Sequence, residues 1–394
     1  MVAQDSAPLL HAQHGRDGRP KLLFVLPSLG GGGAERASVD LLRGMPRERW
    51  QIALALFERR GSFLSQLPHD VQVYDLRGRS QNDLRLTWRL ARLLRREQPA
   101  IVFSVLRYAN LVTLLARRLA GSAARVVINE QNLPSAEFAL FGGGATKGWV
   151  LRYLYPQADT VTAISNGIAD ELASRFGLGK EKLRVIPNPV DLARVQALGA
   201  LEPEHPWFAL SQPVVLGAGR LHLQKGFDHL IRAFALARRQ LPCKLIIIGE
   251  GPKRQELEQL VAELGLSDDV ALPGFQDNPY SYMRRAALFV LSSLYEGFGN
   301  VLVDALVLGR PIVSTRCPVG PAEILTEEET GILVPLADDQ ALAQAMLRVL
   351  TDKGLRQKLS VNGPTRAADF ALERIVAQYD ALFAQLAKGQ RCAS

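Results

Sequence analysis

The chain has 394 residues with 47% hydrophobic content, which is enough apolar material for two domains of ordinary size and makes a single compact core unexpected. Its three cysteines lie far apart, with no CxxC pair and no nearby histidine cluster, which indicates a reducing compartment and argues against structural zinc. The polar residues 1–20 and the short apolar run 22–26 fit neither a signal core nor a membrane span, so we expect a cytoplasmic protein.

The formal net charge of the whole chain is +8, and the positive charge is concentrated in its first half. Between Asp75 and Arg125, 11 arginines stand against 3 acidic residues. Such a region suits nucleic acid, an anionic membrane surface or an acidic substrate. Because no nucleic-acid-binding motif accompanies it and aromatic residues make up only 7% of the chain, we favour a membrane surface and expect no nucleic acid partner.

A first strand is predicted over residues 21–27, followed by a glycine-rich turn, SLGGGGAER, that leads into a helix. Turns of this kind often hold dinucleotides, and Glu58, at the end of the next strand-like run, stands where an acid would bind an adenosine ribose. An NAD-dependent enzyme is therefore one alternative. Against it, Glu35 or Arg36 occupies the place of the third glycine, which packs helix on strand in dinucleotide-binding folds.

The rest of the first half continues the alternation of helices and strands. Residues 84–96 form an amphipathic helix with a basic face, which is either a surface helix with snorkelling arginines or a helix that faces a membrane. A strand over residues 125–129 leads to Glu130 and Asn132, at the edge where ligands collect. We expect residues 135–147, which include three glycines, to form a loop that either orders over an acceptor or is an idle surface excursion.

A change of domain is predicted near residue 190. Ser165 should cap a helix that starts near Asn166, and a strand over residues 183–187 follows. The NPVD sequence at 188–191 then breaks the pattern, and the polar, proline-bearing stretch to residue 213 resembles a linker.

The second half opens with a strand over residues 214–218 and a turn, GRLHLQKG, before a helix that starts at Phe227. Arg220 and Lys225 stand at the entrance to this helix. No D-x-D sequence occurs in the chain to hold a divalent ion, so protein cations would have to neutralise a bound diphosphate. Taken alone, Arg220 and Lys225 more often indicate a solvated surface; in combination with Glu296 downstream, they favour a diphosphate site.

The chemistry is predicted to lie at residues 287–309, which read as a buried strand, a turn and a helix over 301–308. Asn300 is the expected N-cap, and such a helix start favours an anionic phosphate. Two carboxylates, Glu296 and Asp304, frame this anion site. Because carboxylates repel phosphate, we expect them to accept hydrogen bonds from sugar hydroxyls; the alternative is a loop glutamate in water and an aspartate that merely favours the helix start.

Three elements resemble the retaining GT-B glycosyltransferases of family four: the GGGGAER loop, the GR-x4-KG element, and Glu296 followed eight residues later by an acid. The resemblance covers residues 21–387. Together with the alternating strands and helices, it implies an α/β fold of two doubly wound Rossmann-like domains that face each other across a cleft. We expect these domains at 1–190 and 191–370, with residues 371–394 forming a helix that crosses back to the first domain.

The resemblance also implies roles for individual residues. Arg220, Lys225 and Glu296 would be catalytic, the two cations by binding the donor diphosphate. The second acid, usually Glu in the family, is Asp304 here and would contact the donor ribose. The full set of expected donor-binding residues is Gly32, Gly33, Arg220, Lys225, Phe275, Glu296, Gly297, Phe298, Gly299, Asn300, Val301 and Asp304. The first domain lacks the cleft histidine often seen in the family, and the acceptor-side candidates are Glu35, Glu130 and Asn132.

The function implied by the resemblance is transfer of a sugar, with retention of configuration, from a nucleoside-diphosphate donor, most simply UDP-linked. The acceptor would be lipid-linked or a polysaccharide, as in the synthesis of lipopolysaccharide and other cell-surface glycans. We expect no metal and no cofactor, and a location in the cytoplasm or on the inner face of the membrane. Two alternatives keep the same donor pocket: a nucleotide-sugar epimerase and a non-catalytic sugar-nucleotide sensor.

Overall fold

The computed structural model describes residues 18–78, 83, 85–141 and 144–389. The polar leader up to residue 17, two of the three loop glycines, Cys392 and the end of the chain lie outside the described residues. Within the described part, two parallel sheets form, one in each half of the chain. The predicted pair of doubly wound α/β domains is confirmed.

The first sheet has the strand order β3-β2-β1-β4-β5-β6-β7. Because β1 lies between β2 and β4, the order reverses there and leaves a crevice at the carboxyl ends of β1 and β4. The strands are β1 Lys21–Leu26, β2 Gln51–Leu56, β3 Gln72–Asp75, β4 Ile101–Val105, β5 Arg125–Glu130, β6 Thr160–Ala163 and β7 Leu183–Val185.

The second sheet has the order β10-β9-β8-β11-β12-β13, so its reversal lies between β8 and β11. The loops after these two neighbouring strands are the ones that carry Lys225 and Glu296, which the topology therefore brings to one crevice. The strands are β8 Val214–Ala218, β9 Lys244–Ile248, β10 Val270–Gly274, β11 Leu288–Leu291, β12 Ile312–Thr315 and β13 Ile332–Val334.

Helices cover both faces of each sheet and bury the apolar strand residues. In the first half these are α1 Gly33–Gly44, α2 Arg85–Glu97, α3 Arg107–Ala120, α4 Pro134–Phe141, α5 Gly144–Leu154 and α6 Asn166–Ser174. The remaining helices are α7 Leu192–Gly199, α8 Phe227–Arg238, α9 Arg254–Glu263, α10 Pro279–Arg285, α11 Asn300–Val307, α12 Pro321–Ile324, α13 Asp339–Thr351, α14 Lys353–Ala367 and α15 Leu372–Ala387. In the described part of the chain, no helix is long and apolar enough to cross a membrane.

The final helix, α15, packs on the first domain although it follows the second in sequence. Its Phe383 ring lies edge-on to Trp50, with the ring centroids 6.3 Å apart. The Trp50 indole donates a hydrogen bond to Asp380 Oδ1 at 2.7 Å, and the Tyr379 hydroxyl accepts one from Asn129 Nδ2 at 3.1 Å. These contacts hold α15 against the first domain.

The predicted loop at 135–147 is wrong for most of its length, because α4 and α5 occupy its described part. The segment PSAEFALF begins with a proline, which suits the first turn of a helix, and continues with helix-forming residues. Gly144, the described glycine of the three, is the first residue of α5. Helix α14 was not predicted, because it contains Gly354, Gly363 and Pro364, and glycine and proline are unfavourable inside a helix.

Candidate functional site

The loop after β8 packs directly against the end of β11. Gly226 adopts a left-handed conformation with φ of 56°, and a Cβ at this position would overlap the carbonyl oxygen of Ser292. A hydrogen bond from Leu294 N to Gln224 O, 2.8 Å long, ties the two loops together. The glycine thus permits the close approach that places Lys225 beside the turn after β11.

Lys225 and Glu296 form a largely buried ion pair. The distance from Lys225 Nζ to Glu296 Oε1 is 2.6 Å, and the two side chains are 17% and 8% exposed. The Ser293 hydroxyl donates to the same carboxylate oxygen at 2.7 Å. Glu296 Oε2 makes no hydrogen bond to any other described residue, so one oxygen remains for a ligand while the other is fixed. The two residues predicted from separate motifs therefore meet in one site.

Arg220 lies near the start of the loop after β8, the loop that also carries Lys225. It follows Gly219, at which a Cβ would come 3.1 Å from Lys225 Cε, and its own side chain is exposed. Among the residues that the structure describes, no acid pairs with Arg220. Its charge is therefore uncommitted, in contrast to that of Lys225.

The helix after this turn begins one residue earlier than predicted. Helix α11 starts at Asn300, and the residue before it, Gly299, has φ of 101°, a conformation that favours glycine. The prediction of Asn300 as N-cap is wrong for this reason. Its side-chain oxygen instead accepts a hydrogen bond from Asn188 Nδ2 at 3.1 Å, and its side chain lies against Gly33 of α1.

The other expected donor-binding residues differ in what they expose. Phe298 is 3% exposed; its ring packs edge-on against Phe370 and its backbone lies against Gly320. Val301 is partly buried against the core. Phe275, by contrast, is 59% exposed and directly follows Gly274, whose φ is 87°. Gly32 is the exposed residue that precedes α1.

Asp304 lies in a different cluster from Glu296. It lines a small cavity with Arg36 and Asp40 of α1, Arg194 of α7 and Tyr280 of α10. Burial raises the pKa of Asp304 to about 7, an effect that nearby Arg36 partly offsets. Burial likewise raises the pKa of Asp40 to about 6. The second acid of the motif thus faces the first domain.

The three acceptor-side candidates have different surroundings. Glu130 is 1% exposed, and it accepts hydrogen bonds from the Tyr155 hydroxyl at 2.5 Å and from Arg107 Nη2 at 3.0 Å. Both of its oxygens are engaged within the first domain, which makes it a structural anchor and unsuited to replace a cleft histidine. Glu35 folds back over Gly32 at the start of α1, and burial raises its pKa.

Asn132 is the candidate that faces the other domain. Its Cα would lie 3.2 Å from a Cβ placed on Gly297, and the carbonyl oxygen of Gln131 would overlap that Cβ. Only glycine therefore fits at position 297 in this closed arrangement. Asn132 is partly exposed, unlike Glu130, and lies opposite the turn that carries Glu296.

A chain of buried amides connects the two domains and was not predicted. Gln131 and Asn188 exchange two hydrogen bonds, of 3.0 and 2.8 Å, and Asn188 donates a third to Asn300. Gln131 also donates to Asn129, which in turn reaches Tyr379 of α15. The one sequence signal was the position of Asn188 in the NPVD segment, where the chain crosses between domains.

Helix α6 is capped across the cleft. The Glu323 carboxylate, from α12 of the second domain, accepts hydrogen bonds from the backbone of Asn166 at 2.7 Å and of Gly167 at 3.0 Å. Ser165, the predicted cap, makes no side-chain capping bond and donates to Gly297 O at 2.9 Å. Ser165 thus occupies the predicted N-cap position, but its side chain does not cap the helix, because the second domain supplies the acceptor.

The described residues contain no group of three or more His, Cys, Asp or Glu side chains placed to hold a metal ion. The charged groups available at the crevice are Arg220, Lys225 and Glu296, together with the start of α11. Such an arrangement of cations and backbone N–H groups suits a phosphorylated ligand.

Both halves of the chain match known family models. Residues 31–194 match the model of Glycosyltransferase Family 4, and residues 204–366 match that of Glycosyl transferases group 1. In Campylobacter jejuni, N-acetylgalactosamine-N,N'-diacetylbacillosaminyl-diphospho-undecaprenol 4-alpha-N-acetylgalactosaminyltransferase is 31% identical over 360 residues, which cover 89% of this chain and 95% of that protein. The lipopolysaccharide core biosynthesis glycosyltransferase LpsD of Rhizobium meliloti is 30% identical, with the same coverage of 89% and 95%.

A solved structure shares the fold. The crystal structure of Anabaena HepE in complex with UDP superposes with a TM-score of 0.76 at 23% identity, over 93% of this chain and 100% of that one. The predicted GT-B fold and the predicted glycosyltransferase class are therefore confirmed. Because relatives at this level of identity are matched over nearly their whole length, the chain belongs to the glycosyltransferase group 1 family and is a glycosyltransferase of GT-B fold.

Proposed function

We propose that the protein transfers a sugar from a UDP-linked donor to a lipid-linked or polysaccharide acceptor in cell-surface glycan synthesis, with retention of the anomeric configuration. The observation that carries the proposal is the Lys225–Glu296 pair, 2.6 Å apart, in front of the start of α11 and beside the exposed Arg220. The UDP bound to HepE and the names of the lipid-linked and lipopolysaccharide relatives support it. Retention follows from the family-four resemblance.

Stabilisation of the leaving group is the chemistry that these residues suit. As the bond between sugar and diphosphate breaks, negative charge grows on the diphosphate. Lys225, held by Glu296, and the N–H groups at the start of α11 are already in place to meet that charge, and the exposed Arg220 would turn towards it. Because Lys225 is held by Glu296, little reorganisation is needed when the charge develops.

Glu296 is proposed to position the transferred sugar. One oxygen is held by Lys225 and Ser293, and the other would accept a hydrogen bond from a sugar hydroxyl. Lys225 would then contact the diphosphate on one side and the sugar-binding carboxylate on the other. The side chain of Asp304 lies beside α1. It would contact the donor ribose only if the bound donor places its ribose next to α1.

No metal is proposed for this reaction. Arg220 and Lys225 would neutralise the diphosphate, the role that a divalent ion held by carboxylates has in a metal-dependent transferase. The acceptor is proposed to enter from the first domain, close to Asn132. Contact of the basic first domain with the inner, anionic surface of the membrane would bring a lipid-linked acceptor to the cleft.

A donor panel tests the proposal. Thermal shifts with UDP-sugars, GDP-sugars and ADP-sugars select the nucleotide, and a labelled donor of the selected kind is then offered with a lipid-linked glycan acceptor. We expect labelled product in which the anomeric configuration of the donor is retained. Arg220→Gln should lower turnover, whereas Arg239→Gln, which removes an exposed arginine just after α8, serves as the matched control. Release of an epimerised donor, or donor binding without turnover of any acceptor, would contradict the proposal.

A further inference from the structure

One helical layer of the first domain carries exposed apolar side chains on its outer side. Helices α2, α3 and α5 bury their inner sides in one common core on one face of the first sheet, whereas α1 and α15 pack on the other face. Right-handed crossovers explain the shared face, since all three helices lead towards the same edge of the sheet. The exposed apolar residues of this layer are Trp88, Leu115, Leu119, Trp149 and Tyr153.

The aromatic members of this set are the most unusual. Trp149 is 66% exposed and Tyr153, one turn later on α5, is 55% exposed. Their rings stack on each other with centroids 5.6 Å apart and planes 3° from parallel. Trp88 on α2 is 55% exposed, and the Arg92 guanidinium lies 5.9 Å from its ring centroid. Large aromatic side chains held this far out of a core favour an interface where one side is apolar.

Exposed arginines lie on the same helices as these aromatic side chains. The nearby acids are engaged within the domain: Glu97 pairs with Lys21 at 2.6 Å, and Asp159 pairs with Arg117 and Arg125 at 2.9 Å each. The arginines that are exposed on the same three helices are Arg85, Arg92, Arg95, Arg96, Arg118 and Arg152. Arg96 shares Glu97 with Lys21, at a distance of 2.8 Å. The outer side of the layer therefore combines exposed arginines with protruding tryptophan, tyrosine and leucine.

We propose that this surface, the basic aromatic face, docks on a bilayer that contains anionic lipids. The arginines would contact lipid phosphates, and Trp88, Trp149 and Tyr153 would lie at the level of the headgroups, where tryptophan and tyrosine are enriched in membrane proteins. A protein partner would need matching acids and an apolar groove. The bilayer supplies negative charge and an apolar layer over the whole face. The inference deepens the membrane contact proposed above and does not depend on the identity of the donor.

Vesicle binding by the full chain tests this inference. The protein is sedimented with vesicles of phosphatidylcholine alone and with vesicles that also contain phosphatidylglycerol. We expect binding to the anionic vesicles only, and weaker binding at high salt, because exposed charges are screened beyond about 8 Å at physiological ionic strength. The double variant Trp149→Ser/Tyr153→Ser should bind about tenfold more weakly at unchanged salt, because its apolar contact is lost.

Matched controls separate the face from general surface effects. Leu264→Ser removes an exposed leucine from the second domain, and Arg239→Gln removes an exposed arginine there; both should bind vesicles like the unaltered protein. Arg92→Gln/Arg118→Gln should weaken binding. Circular dichroism confirms that each variant is folded.

Two results would overturn the inference. One is undiminished binding of Trp149→Ser/Tyr153→Ser to anionic vesicles, which would leave charge alone as the cause. The other is that the unaltered protein binds no vesicle, while light scattering shows a dimer that the same double variant abolishes. In that case the partner of the basic aromatic face would be a second copy of the chain. Transfer to a water-soluble acceptor analogue, measured separately, reports on the proposed transferase reaction and remains informative in either case.

Discussion

Removal of Lys225 should harm donor binding in two ways, because this residue contacts both a carboxylate and the proposed diphosphate site. In Lys225→Ala, the attraction between one cation and the diphosphate is lost. In addition, Glu296, only 8% exposed on its side chain, loses the partner that lies 2.6 Å away and presents an unneutralised negative charge to the ligand. The second effect is a repulsion that the unaltered protein does not have.

The size of each effect follows from the geometry. A unit charge pair at about 4 Å is worth roughly 1 kcal/mol in water and about 4 kcal/mol at an intermediate dielectric, and the exposures of 17% and 8% place this pair between the limits. Taking about 2 kcal/mol for the lost attraction and a similar amount for the new repulsion, the affinity for UDP should fall several-hundredfold, since about 1.4 kcal/mol corresponds to tenfold. Lys225→Ala/Glu296→Ala keeps only the first effect and should therefore bind UDP about tenfold or more tightly than Lys225→Ala.

Calorimetry with UDP on three variants measures this difference. Glu296→Ala should bind free UDP at least as tightly as the unaltered protein, because the sugar that Glu296 is proposed to hold is absent and Lys225 is no longer neutralised. Its turnover should fall by about tenfold or more, or roughly 1.4 kcal/mol of transition-state stabilisation. Lys253→Ala, which breaks an exposed Lys–Glu pair in the same domain, is the matched control and should bind UDP normally. The reasoning is refuted if the double variant binds UDP no better than Lys225→Ala, or if Glu296→Ala keeps full turnover.

Three further predictions follow from the same geometry. Turnover should survive EDTA, because protein cations face the diphosphate; a loss that magnesium or manganese restores would contradict this. Asp304→Asn should raise Tm more at about pH 8 than at about pH 5. The folded pKa of Asp304 is about 7, so the protonated side chain stabilises the fold, and this contribution is lost as the pH rises from the ordinary aspartate pKa of 3.8 towards 7. Equal shifts at both pH values would count against it. Glu323→Ala should open the cleft, seen as a larger radius of gyration by X-ray scattering, whereas Glu328→Ala, which breaks an ion pair within the second domain, should not.

The fold was predictable because hydrophobic patterns and glycine turns are local signals. The run of apolar residues before Gly219 and the run before Glu296 each identified a strand, and the final helix, expected within residues 371–394, occupies Leu372–Ala387. The meeting of Lys225 with Glu296 then followed from a general property of doubly wound sheets, in which loops after neighbouring strands share an edge.

What failed depended on contacts between distant residues. Gln131 and Asn188 are 57 residues apart, and neither local sequence predicts that their amide side chains form hydrogen bonds with each other. The acceptor that caps α6 comes from Glu323, 157 residues beyond Asn166, so Ser165 occupies the N-cap position without making the capping bond that the local sequence suggested. Glu130 appeared suitable for the cleft because it ends a strand, yet Arg107 and Tyr155 hold it inside the domain.

The amide chain gives a physical reason for donor binding and cleft closure to depend on each other. Asn300 is the first residue of α11, whose start faces the proposed diphosphate, and its side chain is also the last link from Gln131 and Asn188. A buried amide that loses its hydrogen-bond partner destabilises the structure by about 1–3 kcal/mol. The hydrogen bond between Asn188 and Asn300 therefore favours the arrangement in which the two domains are in contact. A ligand that orders the start of α11 therefore also orders the acceptor of the Asn188 hydrogen bond. Closure, in turn, holds the same helix start in position for the diphosphate, so each event lowers the free-energy cost of the other.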